Sequence, residues 1–95
     1  MKKWIEYLKN NDYTVTPGRY WKAYKDFCIC GLNFRAKIYD GGYRIELEDQ
    51  EMKIILTHHL ISMLETEMQN LKIDSNAAML LKEVEEEGEQ DEQTN

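Results

Sequence analysis

The chain has 95 residues and a mass of 11.3 kDa, enough for one small domain that buries about 60–65% of the surface its unfolded form exposes. With 42% apolar and 32% charged residues, wholesale disorder is excluded, and no apolar run reaches the roughly 18 residues a membrane span needs. The formal net charge of −6 belongs to one end: residues 82–95 hold Lys82 and seven acids, whereas residues 1–81 balance eleven cations against eleven acids.

In chain order, residues 2–11 form a short helix with Trp4, Ile5 and Leu8 on one face. Asn10-Asn11-Asp12 ends it, and Tyr13-Thr14-Val15 opens an extended segment that Pro17-Gly18 breaks. Residues 20–30 are strand-like. Residues 32–39 alternate, with Leu32, Phe34, Ala36 and Ile38 on one side and Arg35, Lys37 and Tyr39 on the other. Asp40-Gly41-Gly42 is a hairpin turn, since glycine supplies positive φ at little cost. The return strand points Tyr43, Ile45 and Leu47 inward and Arg44, Glu46 and Glu48 outward.

Asp49 is expected to cap a long helix whose apolar stripe runs Met52, Ile55, Leu56, Leu60, Met63, Leu64, Met68, Leu71. Asp74 or Ser75 then caps a second short helix carrying Ala77, Leu80, Leu81 and Val84. The reading is an α+β domain over residues 1–81, ordered α-β-β-β-α with an optional further α, its helices on one face of a small antiparallel sheet. Residues 82–95 follow as an acidic, largely disordered tail. The long helix is expected to outrun its strands near residues 61–71, where a second protomer or the folded-back segment 75–84 would cover it.

Cys28 and Cys30 lie too close on one strand to make a useful staple, which points to a reducing, cytoplasmic setting. The start Met1-Lys2-Lys3-Trp4 lacks the apolar stretch of a signal peptide. Cys28-Ile29-Cys30 with His58-His59 has zinc-binding atoms at poor spacing, so two buried thiols and one packed histidine, His59, are expected instead. No phosphate-cradling glycine loop is present, and no nucleophile–base pair can be assembled from these residues, so neither cofactor nor enzyme activity is expected.

All ten aromatic residues precede residue 44, in the half of the chain that is also basic. Strand parity gathers Lys22, Tyr24, Asp26, Arg35, Lys37, Tyr39 and Arg44 on the sheet face away from the helices. Tyrosines among cations suit single-stranded nucleic acid: Tyr24 and Tyr39 would stack bases while Lys22, Arg35, Lys37 and Arg44 hold phosphates. The alternative is a solvated sheet face of no special role. A different surface, the acids Glu46, Glu48, Asp49 and Glu51 with the tail, would suit a basic, nucleic-acid-handling host protein.

The order helix, three strands, helix resembles the double-stranded RNA-binding domain. That family docks through basic residues at the start of its last helix, where this chain has the acidic run Glu48-Asp49-Gln50-Glu51, so the identity is rejected. The segment Leu8-Lys9-Asn10-Asn11-Asp12-Tyr13-Thr14-Val15 resembles the helix-to-strand junction of a Cas9-inhibiting anti-CRISPR, with a similar hairpin and acidic ending. More broadly, the chain is similar to small acidic bacteriophage host-takeover and anti-defence proteins. The resemblance implies a non-enzymatic binding module in a bacterial cytoplasm. It would bind single-stranded nucleic acid, RNA rather than DNA, or inhibit a host protein.

Overall fold

A computed structural model describes residues 2–48 and 57–94, with only the helical backbone described for 87–94. Helix α1 (Lys3–Asn10) is followed by β1 (Thr14–Thr16), β2 (Lys22–Ile29), β3 (Leu32–Tyr39), β4 (Gly42–Leu47) and the long helix α2 (His58–Thr94). The fold is α+β, as the alternation and helical spacing predict. The four strands form an antiparallel meander in the order β1-β2-β3-β4. The count differs from the expected three because Thr14–Thr16 pairs with Lys22–Tyr24 as a short edge strand.

Local chemistry explains the junctions. At the end of α1, Asp12 takes φ 69°, Tyr13 N–H donates to the Leu8 carbonyl and Asp12 N–H to that of Lys9. These two bonds make a Schellman closure, and its usual apolar contact is present because Leu8 and Tyr13 enter the same core cluster. Between β2 and β3, Ile29 pairs with Leu32, which leaves Cys30-Gly31 as a two-residue loop with φ 53° and 78°. Positive φ at both positions is the type I′ pattern that matches strand twist.

Alternation then decides what is buried. Ala23 and Ile29 of β2 and Phe34, Ala36 and Ile38 of β3 face the helices. They pack in two groups. The larger combines Ile38 and Ala36 with Trp4, Leu8, Trp21, Leu71 and Ala78, and the smaller combines Ile29 and Phe34 with Leu60. Trp4 and Trp21 lie 4.7 Å apart at 54°, both indole N–H groups buried without an acceptor among the described residues.

Helix α2 differs most from expectation. The cap assigned to Asp49 and the stripe residues Met52, Ile55 and Leu56 lie outside the described residues. In the described part, Thr57 is the cap, its hydroxyl accepting the Leu60 N–H at 3.1 Å. Of the remaining stripe, Leu60 and Leu71 are buried, Leu64 is half-buried, and Met63 and Met68 stay exposed. The break expected at Asp74 or Ser75 does not occur. Asp74 accepts the hydroxyls of Tyr7 at 3.0 Å and Tyr13 at 2.8 Å, and Ser75 is buried, so neither is free to cap. No glycine or proline interrupts residues 58–87.

The helix therefore runs on through Lys82, where composition changes, and its 37 residues span about 55 Å along a long dimension of 58 Å. Residues 75–84 continue the helix instead of folding back, and Leu71 is covered by the chain's own core. Glu85 accepts the backbone N–H of Lys3, so α2 supplies the cap that α1 lacks from its own residues. None of the described helices is long and apolar enough to cross a membrane.

Candidate functional site

Burial of Ala23, Phe34, Ala36 and Ile38 fixes the parity of the sheet, and the described residues leave the opposite face open. Three cross-strand rows run over it: Lys22–Tyr39–Gly42, Tyr24–Lys37–Arg44 and Asp26–Arg35–Glu46. All six residues expected to hold nucleic acid (Lys22, Tyr24, Arg35, Lys37, Tyr39, Arg44) thus share one surface. Acids are interleaved with them on that surface.

Arg35 makes a two-bond contact with Asp26, at 2.7 and 3.1 Å, and lies 3.4 Å from Glu48. Glu46 takes Lys37 at 2.7 Å and Arg44 at 2.6 Å. These pairs reach the titrating groups. The Arg35 hydrogen bond holds the Asp26 carboxyl below its ordinary range, while hydrogen bonding to Asp26 pushes Glu48 up. The Lys37 hydrogen bond, aided by Arg44, holds Glu46 down. Four cations meet three acids, so the face carries a net charge near +1 and is not the bare basic strip that six residues suggested.

The alternative acidic surface changes with it. Glu46 and Glu48 lie on this same sheet face and are engaged by its cations, so they do not form a separate acidic patch. Asp49 and Glu51 lie outside the described residues. The parity that turns Arg44 outward turns Glu46 and Glu48 outward too, so the sequence contained this pairing.

At the other end of the face the charge thins and a groove opens, with a volume of about 400 Å³. Tyr20, Lys22, Tyr24, Tyr39, Asp40 and Arg44 line it, together with Lys37 and the backbone neighbourhood of Trp21, Ala23 and Ile38. Tyr20 is 75% exposed and was not among the expected residues; its place in the groove depends on the Lys22–Tyr39 register. The Arg35 guanidinium sits 4.3 Å from the Tyr24 ring centroid, and that of Arg44 lies 5.9 Å from Tyr39. Tyr39 also lies across Gly42, where a Cβ would come within 3.2 Å of the ring. Both rings are therefore held in place by their neighbours. Lys22 has no ion-pair partner among the described residues, whereas Arg35 is paired with Asp26 and lies over the Tyr24 ring.

Cys28 and Cys30 are exposed, against the expected burial: Cys28 faces outward opposite Asn33, and Cys30 sits in the turn. His59 is exposed as well, because Leu60 takes the inward position of the first turn of α2. No group of three or more His, Cys, Asp or Glu is placed to hold a metal ion among the described residues. No family model, no curated protein and no solved structure matches this chain.

Proposed function

We propose that the chain is a non-enzymatic module that binds a short stretch of single-stranded nucleic acid in the groove at the Tyr20–Tyr24–Tyr39 end of the open sheet face. The observation that carries this reading is two braced tyrosine rings beside Lys22, which has no ion-pair partner among the described residues, in a cavity of about 400 Å³. Bases stack on such rings whatever their identity, and a nearby cation holds the phosphate. Asp40 at the rim offers an acceptor to a 2′-hydroxyl, which favours RNA over DNA. The footprint is small, because Lys37 and Arg44 share Glu46 and Arg35 is committed to Asp26 and Glu48.

The test is fluorescence anisotropy of labelled single-stranded RNA and DNA oligomers against the whole chain over a salt series. With one to three phosphates neutralised, the slope of log affinity on log salt should lie between about −0.7 and −2. The variant Tyr24→Ala/Tyr39→Ala, checked for native circular dichroism, should lose roughly 1–3 kcal/mol per stacked base. Unchanged affinity in that variant, or no binding of either oligomer at low salt, overturns the reading.

The self-paired charges favour one second reading. An aromatic, nearly neutral surface with Tyr and Arg at its centre is also the composition of a protein-docking patch, in keeping with an inhibitor or adaptor of a host protein. Binding to a protein partner that is lost in the same tyrosine variant, with no affinity for oligomers, would select it.

A further inference from the structure

Helix α2 turns Leu60, Leu71 and Ala78 inward, yet its opposite side is not polar throughout. Ile73, Leu80 and Val84 are 60%, 62% and 58% exposed, and their spacing of seven and four residues puts them on one stripe. We propose that this stripe is a self-association surface that a second copy of the chain occupies, the two α2 helices crossing antiparallel beside Asn76 and Ala77. This inference is independent of the nucleic-acid reading, since the stripe faces away from the sheet.

The argument for a second copy is that the stripe is complementary to itself. A two-fold axis beside Asn76 and Ala77 sets Ile73 against Leu80 of the second copy, and Leu80 against its Ile73. The residues at the crossing are small, so the backbones can approach to the roughly 8–10 Å of packed helices. The flanks agree in charge. Lys72 and Glu83 are both exposed, and neither has an ion-pair partner among the described residues. They lie on the same side of the stripe, so the same axis brings Lys72 beside Glu83 of the second copy twice over. A parallel pairing would instead lay the acidic sequence 83–92 against itself. The apolar positions can meet in either direction, and the charged positions select the antiparallel arrangement.

Sedimentation velocity of the whole chain, from low to high micromolar concentration, tests this. A reversible monomer–dimer equilibrium is expected. Leu80→Glu, a change at an exposed position that leaves the helical signal and melting intact, should weaken the dimer more than tenfold. Lys72→Glu and Glu83→Lys should each weaken it roughly two- to thirty-fold, as expected for two exposed ion pairs per dimer. The combined variant should recover most of that loss. A chain that stays monomeric throughout overturns the proposal. So does a dimer indifferent to Leu80→Glu, or one in which the combined charge swap is no better than either single change.

Discussion

At the turn between β2 and β3, Cys30 holds φ 53° ahead of Gly31 at 78°. A residue with a Cβ resists that region by about 1 kcal/mol or more, and asparagine tolerates it best after glycine. Cys30→Asn should therefore raise stability by about 0.5–1 kcal/mol in denaturant unfolding, with no change of register and with one exposed thiol removed. A loss of stability would show that the thiol makes a contact the turn needs. Here the sequence was hard to read: Asn-Gly announces such a turn and Cys-Gly does not. The consequence extends beyond one residue, since this turn sets the Lys22–Tyr39 pairing on which the groove depends. Parity could be read from alternation, so the shared face was legible. Which residues met across it needed the register.

Between elements, α2 is tied to α1 and to the junction that precedes β1 through one carboxylate. Asp74 accepts the hydroxyls of Tyr7 and Tyr13, residues 67 and 61 positions away. An Asp before a Ser reads locally as a cap, and only the distant tyrosines turn it into a mid-helix anchor. The pairing has a pH signature. Burial first, then the Asp74 hydrogen bond, pushes both phenols above their ordinary value of 10, Tyr13 the further. A group whose proton is held more tightly in the folded state contributes stability that is complete below its unfolded pKa and lost as pH rises beyond it. The chain should thus hold full stability up to about pH 10 on this account and lose it above. Absorbance at 295 nm should show Tyr13 ionising only with unfolding, and Tyr13→Phe should remove that late step. If all six tyrosines ionise together in the folded chain, the anchor is absent. The sheet face shows the same limit on local reading. Its outward cations and the outward Glu46 and Glu48 are legible from alternation, but which of them meet across the strands follows only from the register.

Over the whole molecule, the acidic end and the folded body overlap. Composition changes at Lys82, yet the Lys82 ammonium lies 5.9 and 5.7 Å from the Trp4 and Trp21 rings, and Glu85 accepts the Lys3 N–H. A truncation at 81 accordingly removes structure together with charge. One ending at 86 keeps both contacts and removes four acids, taking the formal net charge from −6 to −2. The 1–86 chain should melt within a few degrees of the full chain. The 1–81 chain should melt lower and show altered tryptophan emission, because it uncovers the Trp4–Trp21 pair and leaves the first turn of α1 without its carboxylate. The charge effect then separates cleanly from the packing effect: 1–86 should bind single-stranded oligomers more tightly than the full chain at low salt, with the difference vanishing as salt screens the acids. Equal affinities at low salt would mean that the last acids do not act on the groove. Equal melting of 1–81 and 1–86 would mean that Lys82 and Glu85 add nothing to the fold.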